Sequence, residues 1–452
     1  MRNGNFMLKE GAVRLSDDVR IREEYFGGIV FHRSTGDTLE VDHEAYKLLA
    51  WLRKTGAADI RALLHQKQVR AILPVLLTMN IIEHLPMITG ASVCPAIPDH
   101  VMRKKDITFA PRDSAHINLS APETVHLAVT YRCDETCPDC YVRRQKPPAY
   151  QELNTVEMCN IIDILADNGV FQLAVGGGEP FARTDISDII RHAAGRGLVV
   201  HLTTGQYVLK PQWADALKHV KSLHIGIRSE ELINNAEYTS KKLCVLAEYA
   251  ANAGIGIGAN IIMTRFSIRN MDKLVELLLK CGYKRLIFLR YKPTADRGRW
   301  NNENPDAEEL KLFKNWLTHT KHQYPQLMLR VDCASAFLMK DTNPLTALRA
   351  GIRGCAAGER IVSVAPDGSV YPCSQLVGHV HSAGNLTSDS FMTIWQESRV
   401  LNEYRHFRQN TSFADSVCGQ CDANSFCGGC RVFAKDILGS EPFCPMAPRV
   451  PY

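Results

Sequence analysis

The chain has 452 residues, 45% of them hydrophobic, and a formal charge of +5 at pH 7. That suffices for one large core and one or two smaller ones, and no stretch of about eighteen apolar residues offers a membrane span. The positive excess is mild and spread along the chain, so it does not point to nucleic acid. The N-terminal Met1-Arg2-Asn3-Gly4-Asn5-Phe6 lacks the apolar run of a secretory signal, so a cytoplasmic location is expected.

Residues 1–86 read as a small domain. Short strands are expected at Val19–Tyr25, Gly28–His32 and Asp37–Val41, with Ser34-Thr35-Gly36-Asp37 as the turn between the last two. Helical patterns follow around Glu44–Lys54, Ala58–Gln66 and Val69–Ile82, a winged-helix-like layout. Residues 87–121 carry prolines, mixed charge and no period, and read as a linker.

From residue 122 to about 325 strand and helix patterns alternate. Strands are expected at Val125–Tyr131, Phe171–Val175, Val199–Thr203, Ser222–Ile227, Gly258–Thr264 and Arg285–Tyr291. Between them, Met271, Leu274, Val275 and Leu278 fall on one helical face, and Asn154 with Glu157 has the form of a capping box. About six strand–helix units predict an α/β fold with a parallel sheet, closed into a partial (β/α)6 barrel. Over residues 326–452 the periodicity fades while Gly, Cys and turn signals rise, as in Ala365-Pro366-Asp367-Gly368, so this region is expected to fold around metal.

Fifteen cysteines in a long chain, clustered and without a secretory signal, point to metal or catalytic use before a disulfide framework. Soft thiolates choose between zinc and iron–sulfur. The first group, Cys133-x3-Cys137-x2-Cys140, directly follows the first barrel strand, on the face where such barrels keep their active sites. Three thiolates can hold three irons of a four-iron cluster and leave the fourth open to a ligand. Gly176-Gly177-Gly178-Glu179-Pro180 follows the second strand and Thr203-Thr204-Gly205 the third, all on that face. Glycines there allow close backbone approach, and Glu179 can accept from an ammonium or hydroxyl. Cys94, Cys159, Cys244 and Cys281 have no partners at ligand spacing and read as inert buried thiols.

The spacing of Cys133, Cys137 and Cys140, with Gly177-Gly178-Glu179-Pro180 after strand two, closely resembles the radical S-adenosylmethionine (SAM) superfamily over residues 120–300. The resemblance implies a [4Fe–4S] cluster on the three cysteines, with SAM on the open iron and the Gly-Gly-Glu-Pro segment along its amino group. Thr203 and Thr204 would contribute to the cofactor site. The family reduces the sulfonium by one electron, drawn from a donor such as flavodoxin or ferredoxin, and the resulting 5′-deoxyadenosyl radical takes a hydrogen atom from substrate. Thr204 stands where the family often has Asn. His224-Ile225-Gly226-Ile227-Arg228 lacks the Ser and Asp often found near the end of strand four.

The C-terminal cysteines resemble the SPASM extension of these enzymes, which carries two auxiliary iron–sulfur clusters. Matching positions implies Cys355, Cys373 and Cys430 on the first and Cys418, Cys421, Cys427 and Cys444 on the second. Cys333 is the nearest candidate for a fourth ligand to the first; otherwise that iron is open and could take a substrate thiolate. The Cys427-Gly428-Gly429-Cys430 step is one residue shorter than the commonest spacing.

Residues 19–28 and the Leu39-Glu40-Val41-Asp42 strand resemble the PqqD-like peptide-recognition element of peptide-maturation enzymes. With twelve Lys/Arg against eleven Asp/Glu in residues 1–86, a DNA role is not expected. A leader peptide would instead add as a strand along Asp37, Thr38, Leu39, Glu40 and Val41. The expected activity is radical modification of a ribosomally made precursor peptide, forming a thioether or carbon–carbon cross-link. The rivals are a radical SAM enzyme acting on a folded protein (sulfatase-maturation type) or a small molecule, and a non-catalytic iron–sulfur protein.

Overall fold

The computed structural model describes residues 11–65, 67–85, 118–134, 137–142, 151–349, 352–442 and 444. Most of the expected linker, with Cys94, lies outside them. The chain divides into two compact units, residues 1–120 and 121–452. Among the described residues no helix is long and apolar enough to cross a membrane.

In the first unit, β1 (Ala12–Leu15), β2 (Val19–Glu24), β3 (Gly27–His32) and β4 (Thr38–Asp42) precede α1 (His43–Thr55). Asp42 caps α1 by accepting from Ala45 N at 2.8 Å, and Gly56, with φ +85°, ends it. β5 (Ala57–Asp59), α2 (Ile60–Leu64), α3 (Lys67–Thr78) and β6 (Ile82–Leu85) follow. Two antiparallel sheets result, with orders β5-β1-β6 and β2-β3-β4. The first sheet is new relative to the sequence reading. The third helix ends earlier than expected because Asn80 adopts φ +54°, after which Ile82 enters β6. Val13, Val30, Leu48, Leu49, Leu52, Ile60, Leu63 and Leu73 are fully buried in one core, each such side chain contributing about 1.5–3 kcal/mol. Gly27 and Gly28 are dictated by closeness: a Cβ on Gly28 would lie 2.3 Å from the Tyr46 ring, and one on Gly27 2.3 Å from the Asp42 backbone.

The second unit is built on one ten-stranded sheet, ordered β13-β12-β11-β10-β9-β8-β7-β14-β15-β16. Its strands are β7 (Thr124–Thr130), β8 (Gln172–Gly177), β9 (Val199–Thr204), β10 (Ser222–Ile227), β11 (Gly256–Met263), β12 (Arg285–Arg290), β13 (Met328–Val331), β14 (Ile361–Val364), β15 (Ser369–Tyr371) and β16 (Gly384–Asn385). All pairs from β13 to β14 are parallel, and the last two are antiparallel. The fold is the expected α/β partial barrel, and its sheet runs on past the six strands at both edges. The capping box of Asn154 and Glu157 opens the helix Thr155–Asp167. In the helix Met271–Lys280 the buried residues are Met271, Leu274, Val275 and Leu278.

The strands alternate with a period of two. Val125, Leu127, Val129, Leu173, Val175, Leu202, Leu223, Ile225, Ala259 and Ile261 are buried, and the polar members alternate with them. Cys244 and Cys281 are not separate thiols: they form a disulfide with Cα atoms 4.2 Å apart, joining the helices Ala236–Asn252 and Met271–Lys280. A separation of 37 residues gives that pairing no signature in the sequence.

A polar layer crosses the N-terminal ends of the strands. Gln172 donates to Thr124 Oγ1 at 2.8 Å and accepts from His201 Nε2 at 3.1 Å. His201 Nδ1 therefore accepts from Ser222 Oγ at 2.6 Å, and Ser222 accepts from His224 Nε2 at 3.0 Å. Burial, reinforced by neighbouring cations, pushes both histidines down to about 4. The unfolded chain binds these protons more readily, so the stability they confer is complete above pH ~6.5 and declines as pH falls toward ~4. The urea midpoint should drop between pH 7.5 and 5, and His224→Gln should flatten that drop by about 2 kcal/mol. An unchanged pH slope would show that the pKa of His224 is not depressed in the fold.

Candidate active site

The cysteine loop leaves β7 at a braced position. Thr130 Oγ1 and Tyr131 N both donate to Glu152, at 2.6 and 3.0 Å. Buried Arg183 donates to the carbonyls of Val129 and Leu153 at 2.9 and 3.0 Å and pairs with Asp185 at 2.6 Å. Hydrogen bonding from Arg183, with Thr155, holds the Asp185 carboxyl down at about 2. Cys133 is exposed, and Cys137 and Cys140 are half-buried. Asp139, inside the cysteine motif, is clamped: Tyr291 Oη donates to it at 2.7 Å and Arg299 Nε at 3.0 Å, while Arg299 also reaches Glu230 at 2.7 Å. These residues tie the loop to the end of β12. Sequence reasoning passed over them, although Asp139 sits between two motif cysteines and Tyr291 follows the sixth strand.

Gly177 and Gly178 bring the second loop onto the first. Gly177 has φ +111°, and a Cβ there would sit 2.4 Å from the Thr130 carbonyl oxygen; at Gly178 it would sit 2.3 Å from that of Arg132. Gly178 N donates to Thr130 O at 2.7 Å and Glu179 N to Arg132 O at 2.9 Å. The close approach is thus between two loops. Glu179, 4% exposed, accepts from Thr204 Oγ1 at 2.8 Å, Gly205 N at 2.9 Å and Phe181 N at 3.2 Å. Its carboxylate joins the second loop to the third. Pro180 opens the short helical turn Pro180–Ala182. The two threonines separate: Thr204 is buried and held to Glu179, whereas Thr203 is exposed. Beyond β10, Arg228 donates to Gly205 O at 2.9 Å and lies 4.0 Å from the Tyr207 ring centroid.

A cavity of about 220 Å³ is lined by Cys333, Cys355, Cys373 and Cys430, together with Asp139, Tyr141, Lys292 and Asp332. Burial, with the neighbouring thiols adding, pushes Cys333 and Cys430 well above the ordinary range. Cys373 is pushed up to about 11, chiefly by burial. Cys333 keeps accessible surface because it opens on this cavity. The structure therefore brings Cys333 to the three cysteines matched from sequence. Cys418, Cys421, Cys427 and Cys444 form a second set. Burial, then Glu441, Cys444 and Cys418, push Cys427 up to about 12, and burial raises Cys418 with Cys421 adding.

Glu441 stands between the two sets. It is 2% exposed and pairs with Arg290, 3% exposed. Its Oε2 accepts from Cys430 N at 2.6 Å, and its own N donates to Cys418 Sγ at 3.3 Å. An all-sulfur donor set converging on a cavity fits an iron–sulfur centre, which takes cysteines as thiolates and so overcomes the burial that holds them protonated. Among the described residues no three His, Cys, Asp or Glu are grouped to hold a single metal ion.

The model of the radical SAM superfamily matches residues 127–278, and that of the SPASM iron–sulfur cluster-binding domain matches residues 355–422. The mycofactocin maturase MftC of Mycolicibacterium smegmatis is 26% identical over 71% of this chain and 81% of its own. The PqqA peptide cyclase of Ruegeria pomeroyi is 27% identical over 74% of this chain and 90% of its own. In fold, Streptococcus suis SuiB bound to precursor peptide SuiA is similar with a TM-score of 0.69 at 17% identity, covering 96% of this chain and all of that one.

Glu441→Ala would strand the buried Arg290 charge. A cost of about 3–5 kcal/mol in urea unfolding is expected, against little for an exposed carboxylate such as Glu308; equal costs would refute the buried pair. Three cysteines on the loop after β7, eight more drawn into two sets, and the two matched domains converge on one description: an enzyme that carries a radical SAM domain and a SPASM domain, working with a [4Fe–4S] cluster, SAM and auxiliary iron–sulfur clusters.

Proposed function

We propose that the protein matures a ribosomally made peptide. Residues 1–86 would bind the leader, residues 87–121 would serve as linker, the barrel over 122–325 would carry the chemistry, and residues 326–452 would house two auxiliary clusters. The observation that carries this reading is β4, which among the described residues is the last strand of the β2-β3-β4 sheet in a small winged-helix-like unit. His32 N donates to Asp37 O at 2.9 Å and Phe31 lies opposite Thr38. The antiparallel alternation then turns the main-chain groups of Thr38 and Glu40 away from β3, the side on which a leader would dock. Likeness to SuiB over nearly the whole chain supports the same reading.

The ligand assignment is Cys133, Cys137 and Cys140 for the SAM cluster; Cys333, Cys355, Cys373 and Cys430 for the first auxiliary cluster; and Cys418, Cys421, Cys427 and Cys444 for the second. When bound, these cofactors supply the 5′-deoxyadenosyl radical that removes a hydrogen atom from the peptide core. The chain's own residues brace the site. Asp139, Tyr291 and Arg299 hold the cysteine loop, Gly177 and Gly178 let the second loop lie on it, and Glu179 with Thr204 fixes the third. Thr203, exposed, is the threonine left for cofactor contact, and Pro180 shapes the turn behind it. A thioether or carbon–carbon cross-link is the product this arrangement suits, made in the cytoplasm with electrons from a flavodoxin or ferredoxin.

Ordering a leader costs about 2–5 kcal/mol, so affinity should be modest and tethering should concentrate the core at the site. The test uses the leader encoded by a short neighbouring reading frame, titrated against the full chain. Glu40→Pro removes an outward-facing amide while sparing the ladder to β3. It should weaken leader binding at least about tenfold (~1.4 kcal/mol) and leave peptide-independent SAM cleavage unchanged. Undiminished binding by Glu40→Pro would exclude strand addition at this edge.

A further inference from the structure

We infer that Lys292 sets the reduction potential of the centre held by Cys333, Cys355, Cys373 and Cys430, raising it so that this centre accepts the electron released during cross-linking. The inference rests on the ligand assignment above and goes beyond it. Lys292 lies two residues past the end of β12, on the face that carries the cysteine loop. Its side chain is 13% exposed and ion-paired with Asp332, 14% exposed. Asp332 also accepts from Ser335 Oγ at 3.0 Å and Arg290 N at 3.2 Å. Lys292 lines the cavity beside all four cysteines, and Cys430, Cys333 and Cys373 lie within its electrostatic reach.

The other charges around this cavity have partners of their own. Arg290 faces Glu441. Arg431 donates to the carbonyls of Ile437, Gly439 and Gly428 at 2.7–2.9 Å. Asp139 is bound by Arg299 and Tyr291. Lys292, tempered by Asp332, is the cavity-lining cation that acts on three of the four thiols, Cys333, Cys373 and Cys430, whereas Arg290 acts on Cys430 and Cys444.

A cluster on four thiolates is negatively charged, and reduction adds one more negative charge. A fixed ammonium in a poorly screened site stabilises the reduced form more than the oxidised form, and so raises the potential. This direction matters for an oxidative cross-link. After hydrogen abstraction the carbon-centred radical bonds to the partner atom, the partner's proton goes to solvent, and one electron is left over. That electron would pass to the centre that the four cysteines would hold, and from there to the external electron carrier, a flavodoxin or ferredoxin.

The test is a redox titration followed by electron paramagnetic resonance on the full-length, reconstituted protein. The background carries Cys133→Ala, Cys137→Ala and Cys140→Ala, so the SAM cluster contributes no signal. Lys292→Gln should lower the reduced-to-oxidised ratio of one auxiliary signal at least tenfold at fixed potential, which is 59 mV for a one-electron couple. Lys292→Arg should retain the parent potential, and Asp332→Asn should shift it upward. A parent-like potential in Lys292→Gln with full iron content overturns the inference. If Lys292→Gln fails to hold iron, Asp332→Asn decides: an upward shift supports the inference and an unmoved potential overturns it. A background protein with no auxiliary signal at all would instead overturn the ligand assignment.

Discussion

Four thiols facing one small cavity are tolerable only if their charge is neutralised once they ionise. Burial holds Cys333, Cys373 and Cys430 protonated in the absence of a partner, so the region is built to be completed by metal. The protein adds its own compensation: Lys292 toward the cavity, and Arg290 against Glu441 where the two thiol sets adjoin. Glu441 also bonds to Cys430 N and donates to Cys418 Sγ. One buried carboxylate therefore fixes the relative placement of both sets.

The sheet supplies the geometry for this. Because β7, β8 and β9 are parallel neighbours, the loops after them emerge together. Glycines 177 and 178 then stack the second loop on the first, and Glu179 binds the third through Thr204 and Gly205. β14 pairs in parallel with β7 and antiparallel with β15, so Cys355, ahead of β14, and Cys373, just past β15, come to the same end of that strand pair. The cysteine loop and the four-thiol cavity share Asp139 and Tyr141 as wall residues. Under the proposed function, a substrate radical formed at the loop would have an electron acceptor close by.

Much of this was legible in the sequence, for identifiable reasons. Long apolar strands and the helix Met271–Lys280 carry strong periods, and the Asn154 cap carries a local hydrogen-bond signature. The cysteine motifs announce themselves by spacing. Strands β1, β5 and β6 run only three or four residues, too short for a period to show. Lys292–Asp332, Arg290–Glu441, Asp139–Arg299 and Cys244–Cys281 join residues 37 or more positions apart. Such pairs exist only once the sheet has brought their strand ends together. Cys333 is the instructive case: an isolated cysteine in sequence, it becomes the fourth member of a set because β13 ends two residues before it, beside β12.

The most direct test of the central claim is single-turnover SAM cleavage by anaerobically reconstituted protein under strong reductant, compared with the Cys133→Ala, Cys137→Ala, Cys140→Ala variant. The account predicts 5′-deoxyadenosine from the parent protein and none from the variant, with auxiliary iron retained in both. Cleavage that survives loss of the three cysteines, or no cleavage by fully iron-loaded parent protein, would contradict it.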